Sequence, residues 1–90
     1  MSTPKFALGQ VVATPNALEN VPAPAILEAL SRHQRGDWGT LSKEDRDANE
    51  TALKVGYRLL SAYHTVWGKK FWIITEADRS VTTILLPEDY

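Results

Sequence analysis

The sequence contains no cysteine. That one absence removes disulfide staples, thiolate nucleophiles and sulfur-ligated metal sites together. Only two histidines are present, His33 and His64, and nothing completes a tetrahedral ligand set around them, so no metal is expected. Glycine is sparse and scattered, at 9, 36, 39, 56 and 68, which gives no phosphate-cradling loop and no cofactor fingerprint. The nucleophile elbow Gly-x-Ser-x-Gly is missing as well. No apolar run approaches the ~18 residues that span a bilayer. Met1-Ser2-Thr3-Pro4-Lys5 lacks the basic start and apolar stretch of a secretory signal. The expectation is a cytoplasmic protein with no membrane partner and no cofactor. An excess of charge is missing too: ten Lys and Arg face eleven Asp and Glu, for a net charge of −1. Nucleic-acid binders draw affinity from neutralised phosphates, so this balance argues against nucleic acid as the main partner. It argues equally against an acidic mimic of DNA.

What is present suits one small folded unit over residues 1–90, with 43% hydrophobic and 23% charged residues, proportions of globular rather than disordered chains. Residues 6–14 read as a short strand. Thr14-Pro15 looks like an N-cap with proline at the first helical position, opening a turn through Leu18. Pro22 and Pro24 can only precede or begin a helix, so the first long helix is predicted to start near residue 23. Ile26, Leu27 and Leu30 supply its apolar stripe. Gly36 ends it, and Arg32, His33 and Arg35 complement its dipole. Ser42 and Asp45 resemble a capping box for a second helix over 43–55. Its thin apolar face would be Ala48, Ala52, Leu53 and Val55.

After Gly56 the period changes. Residues 58–66, 70–76 and 81–86 are β-branched, aromatic and leucine-rich, separated by turn chemistry. The fold class expected is α+β: two helices packed on a three- or four-stranded antiparallel β-meander, with the N-terminal strand at an edge. Phe71-Trp72-Ile73-Ile74 is apolar on both alternate sets, so both faces of that strand want cover. Two helices cover one. The other calls for a protein partner, a second copy of the chain or the N-terminal segment, with Trp38, Trp67 and Trp72 as the partner-binding candidates, since tryptophan is enriched at interaction hot spots.

Candidate catalytic chemistry is thin. His33 lies among Arg32, Arg35 and Asp37, and Glu76 and Arg79 cluster at the second hairpin. A base, an acid and a cation would suit metal-free RNA cleavage through the 2′-hydroxyl, which nominates His33, Arg35, Glu76 and Arg79. Helix-dipole complementarity and a solvated Asp–Arg turn account for the same residues. His64, beside Tyr63 and on one face with Leu60, Ala62 and Val66, reads as a structural histidine.

Three stretches carry a resemblance: Gly9-Gln10-Val11-Val12-Ala13-Thr14-Pro15, Arg32-His33-Gln34-Arg35-Gly36-Asp37-Trp38-Gly39, and Arg58 to Tyr63 running on to Trp72 through Pro87. Together they resemble a family of small bacterial proteins labelled plasmid-related. The order of helices before a meander also resembles, more loosely, the barnase–EndoU–colicin–RelE nuclease fold. The first resemblance implies a protein of a mobile element and carries no activity with it. The doubly apolar central strand and the thin catalytic chemistry make the leading expectation a non-enzymatic accessory protein, acting through its apolar sheet face and Trp67 or Trp38. The second resemblance implies a metal-independent RNase or toxin built on His33, Arg35, Glu76 and Arg79.

Overall fold

The computed structural model describes residues 3–90. Along the chain come strand β1 (Gln10–Ala13), helices α1 (Pro15–Asn20), α2 (Ala23–Gln34) and α3 (Lys43–Val55), then strands β2 (Leu59–His64), β3 (Lys70–Thr75) and β4 (Val81–Leu85), and a closing 3-10 turn at Pro87–Asp89. The helix boundaries follow local chemistry. The Thr14 hydroxyl accepts from the Ala17 amide at 3.1 Å, and the Ser42 hydroxyl accepts from the Asp45 amide at 3.1 Å. Each satisfies an amide that a helix start leaves orphaned. Gly56, left-handed at φ 83°, ends α3.

The sheet order is β1-β4-β3-β2. β2, β3 and β4 form the expected antiparallel meander, and β1 adds the fourth strand at the edge. It does so in parallel with β4, pairing Gln10 with Val81 through Ala13 with Ile84. The sheet is therefore mixed, and the antiparallel expectation is corrected for this pair. Alternation in the sequence reports which residues share a face but carries no information on strand direction, and these partners lie at opposite ends of the chain.

Pairing fixes the two faces. Leu59, Ser61, Tyr63, Phe71, Ile73, Thr75, Thr82 and Ile84 are buried beneath the helices. Two apolar clusters form there. Ala17, Val21 and Ala29 pack with Phe71, Ile73, Ile84 and Leu86, while Trp38, Ala52 and Leu59 form a smaller group with Phe6, Leu41 and Leu53. On the opposite face Trp72 meets the chain's own C-terminus. The Tyr90 ring stands edge-on to Trp72 at 5.8 Å, and its hydroxyl accepts from Arg58. Asp89 holds this end in place by accepting from Thr14 and Asn16 at 2.7 Å each. Part of the cover anticipated from elsewhere comes from the last residues of the same chain.

The outer edge of β2 is closed by side-chain and loop contacts. Asn49 of α3 donates to the Leu60 carbonyl at 2.5 Å and accepts from the Leu60 amide at 3.1 Å, imitating a neighbouring strand. Beyond it, the Ala62 amide donates to Trp38 O and the Ala62 carbonyl accepts from the Thr40 amide. Gly39 sits between them at φ 76°, where a Cβ would collide with the Ala62 carbonyl, so only glycine permits this approach. The buried stripe of α3 is accordingly Asn49 and Ala52, whereas Ala48 and Val55 face solvent. An Asn49→Ala variant is expected to lose about 1–3 kcal/mol, because it strands both backbone groups of Leu60. Urea unfolding at unchanged m-value measures this loss.

Candidate functional site

The four residues nominated for RNA cleavage are held by different partners. His33, on the last turn of α2, is fully buried. One ring nitrogen lies 2.5 Å from the Ser61 hydroxyl and the other 2.9 Å from the Thr75 hydroxyl. Thr75 lies 2.8 Å from Thr82, whose hydroxyl donates to the Leu8 carbonyl at 2.7 Å. A carbonyl can only accept, and that fixes the direction of the whole chain. Thr82 spends its proton on Leu8 and so accepts from Thr75. Thr75 then accepts from His33 Nε2–H, and Nδ1, unprotonated in a neutral ring, accepts from Ser61. The imidazole is therefore the neutral Nε2–H form. Burial, helped by the positive charge of Arg79, pushes its pKa down to about 4. The edges of Phe6 and Trp38 close around the ring, at centroid distances of 5.0 and 5.7 Å. This histidine joins α2 to β2, β3 and β4 in a polar seam between the two apolar clusters, with no surface from which to meet a substrate.

Arg79 is engaged on every side. Its guanidinium donates to the carbonyls of Tyr57 at 2.7 Å, Ala52 at 3.1 Å, Glu76 at 3.2 Å and Ala77 at 3.3 Å. Two of these belong to the end of α3 and the residue beyond its cap, where a cation also complements the dipole. The Phe6 ring packs against both residues, 5.0 Å from the His33 ring and 5.7 Å from the Arg79 guanidinium carbon. Glu76 points elsewhere, to an exposed ion pair with Arg58 at 3.1 Å. Arg35 is exposed beyond the C-terminus of α2, where its neighbour Arg32 pairs with Asp37 at 2.7 Å. A base, an acid and a cation must touch one substrate to act together; here His33 and Arg79 serve the fold, Glu76 is paired with Arg58, and Arg35 is exposed beyond α2.

The tryptophans divide in the same way. Trp38 is buried, and its indole N–H donates to Glu50 at 2.8 Å, so its ring belongs to the core rather than to a partner surface. Trp72 is half-buried against Tyr90. Trp67 is 80% exposed and Val66 91%, on the turn between β2 and β3. That turn is well tied: Thr65 N–H donates to Lys69 O, Gly68 N–H to Thr65 O, and Lys69 N–H to the Thr65 hydroxyl. Two large apolar side chains are thus held out in water by a closed hydrogen-bonded loop. His64 is exposed at its base.

A second apolar surface was not anticipated. Between β1 and the helices runs a groove of about 410 Å³, lined by Val11, Leu18, Ile26, Leu27, Leu30 and other apolar residues, without a charged one. Leu18 and Leu27 are 64% and 68% exposed, and Val11 and Val12 are also open to solvent. Leu27 was expected in the core stripe of α2. The buried face instead runs through Ala25, Ile26, Ala29, Leu30 and His33, at spacings of three and four, and Leu27 falls about 100° from Ile26 around the helix. An apolar residue next to a stripe that is already complete was the available signal.

No protein-family model, curated protein or solved structure matches the chain. Among the described residues no group of acidic, histidine or cysteine side chains could hold a metal ion, and no helix is long and apolar enough to cross a membrane.

Proposed function

We propose that the chain is a small non-enzymatic interaction protein, an accessory factor of the mobile-element kind that its sequence resemblance implies. It works by presenting apolar surface to another protein chain. The observation that carries this reading is the uncharged groove between β1 and α2, with Val11, Val12, Leu18 and Leu27 exposed along it. Burying a leucine or valine removes about 1.5–3 kcal/mol of unfavourable hydration each, and no described residue of the chain collects that gain. Contiguous exposure of this kind on a small protein marks an interaction surface. The Val66–Trp67 tip adds a separate contact point of the type that dominates binding energy.

Affinity capture with quantitative mass spectrometry tests the reading, comparing the full chain with Leu27→Asp and Trp67→Ala. Both positions are solvent-exposed, so the stability of each variant is expected within about 0.5 kcal/mol of the parent. The expected result is a defined protein, or the chain itself, retained by the parent and reduced at least tenfold by one of the variants. If every protein captured by the parent is captured equally by both variants, the apolar surfaces have no binding role and the reading fails.

A further inference from the structure

Both edges of the sheet face the same hazard, and only one is protected. An exposed edge strand offers unpaired amides and carbonyls to any other strand, and proteins ordinarily blunt it with charge, proline or covering chain. On β2 the covering is complete at Leu60 and Ala62, through Asn49 and the segment Trp38–Thr40. Among the described residues, none covers β1 in this way. Gln10 and Thr14 donate to Ser80 O and Ile84 O of the β4 side, so by alternation Val11 and Ala13 turn their N–H and C=O groups outward. Strand β1 reads Gln-Val-Val-Ala, with no charge, no proline and no bulge. Beside it the apolar groove opens, with Leu18 and Leu27 on its rim.

We infer that this edge and groove form the interface of a two-fold symmetric dimer, in which β1 pairs antiparallel with β1 of a second copy to give one eight-stranded sheet. The inference rests on the interaction reading above and names its partner. Antiparallel pairing centred on Val12 sets Val11 opposite the second copy's Ala13 and the reverse, so each outward donor finds an acceptor on an identical strand. A two-fold normal to the sheet keeps both helical layers on one side and brings the Leu18 and Leu27 rims toward each other. Charge favours identical copies: no charged residue lines the groove, and a net charge of −1 opposes self-association little. Size is adequate as well. Four side chains exposed to this extent represent on the order of 300–400 Å² of apolar surface per copy. Over two copies that is about 600–800 Å² before the paired backbone is counted, the scale of a small interface rather than of an extensive obligate one. Because the β2 edge is covered at Leu60 and Ala62, β1 is the longer open edge of each copy, which favours pairing that ends at two over growth into a fibre.

Light scattering coupled to size exclusion, with sedimentation equilibrium over a concentration series, decides the matter. The full chain is expected at twice the chain mass. Val11→Pro removes an amide that the monomer's own ladder does not use, which an edge strand tolerates. Leu27→Asp places charge at the rim. Each is expected to raise the dimer dissociation constant at least tenfold with an unchanged circular dichroism spectrum. Should Val11→Pro unfold, Leu27→Asp still decides. A parent chain that stays monomeric at about 100 µM overturns the inference, as do dimers that survive both substitutions. If a monomeric parent still captures a different protein that Leu27→Asp loses, the second copy is the wrong occupant while the interaction reading stands.

Discussion

Replacing His33 by alanine is expected to cost about 3–5 kcal/mol, the range seen when a large buried ring is removed. A chain of this length has roughly 5–13 kcal/mol of stability in all, so the loss takes a large share of it. Two effects add. The ring fills the space between Phe6 and Trp38 where α2 meets the sheet, and its removal leaves a cavity. It also accepts the Ser61 proton, and a buried hydroxyl left without an acceptor costs about 1–3 kcal/mol. Thr75 fares better, since it keeps Thr82 as its acceptor. Chemical denaturation at pH 7 measures the sum. A His33→Ala variant as stable as the parent would mean that the seam does not hold the helix to the sheet.

The same residue gives the protein an acid-sensitive stability. The folded-state pKa of His33 is depressed from 6.5 to about 4, so above pH 6.5 the ring is neutral in both states and contributes no pH dependence. Below 6.5 the unfolded chain takes up a proton that the folded chain refuses. Stability therefore falls as pH falls through this window, by about 3 kcal/mol in total, and levels off below about 4 when the folded state protonates too. Three carboxylates act in a lower, separate window, Asp78 among them through its hydrogen bond from the Ser80 hydroxyl. Asp37 is held below its ordinary value of 3.8 chiefly by its hydrogen bond from Arg32, and Asp89 chiefly by that from Thr14. Their contribution is present above 3.8 and is lost only as pH falls through their folded values. A His33→Gln variant should abolish the slope between pH 6.5 and 4 and leave the lower one in place. Denaturant midpoints at closely spaced pH values separate the two.

Why His33 looked like a candidate for chemistry, and is placed otherwise, marks the limit of what this sequence displays. Arg32, His33 and Arg35 close a helix in any reading, because cation placement at a C-terminus is local. Which of the three turns inward depends on where Ser61 and Thr75 lie, and those partners are 28 and 42 residues away. Helices α2 and α3 and the meander were legible for the same reason in reverse: proline, glycine and apolar period act over a few residues. The expected count of two helices is corrected to three, because the turn expected through Leu18 continues to Asn20 as α1. Ser42 and Gly56 bracket α3 as local chemistry requires. Strand direction, the Asn49 clasp on β2 and the Tyr90 contact with Trp72 are all settled by distant partners. The groove was hidden differently. Its residues are apolar, and apolar residues default to the core in any periodicity argument. Only the packing of α2 on Ala25, Ala29 and His33 leaves Leu27 outside.

Arg79 supports the second large prediction, because its backbone and side chain make opposing demands. It alone among the described non-glycine residues has a positive φ, 62°. That conformation costs an L-residue roughly 1–2 kcal/mol, which glycine escapes. The strain persists because the guanidinium reaches four carbonyls at once, on the end of α3, the residue past its cap and the β3–β4 turn. Removing it leaves the Ala52 and Tyr57 carbonyls without a cation at a helix terminus, and hydrogen bonds to charged groups contribute about 1.5–3 kcal/mol each where solvent does not replace them. Part of this site is open to water, so Arg79→Ala is expected to lose about 2–4 kcal/mol rather than the full sum. Arg79→Gly loses the same hydrogen bonds but sheds the strain, so it is expected to be more stable than Arg79→Ala by about 1 kcal/mol. That order reverses the usual preference for alanine over glycine and is hard to obtain any other way. Arg79→Lys keeps the charge but not the fork, and falls between alanine and the parent. Thermal and urea unfolding of the three variants provide the ranking. Alanine above glycine would show that the turn relaxes out of the left-handed region once the side chain is gone, leaving the guanidinium as the sole cause of that backbone conformation.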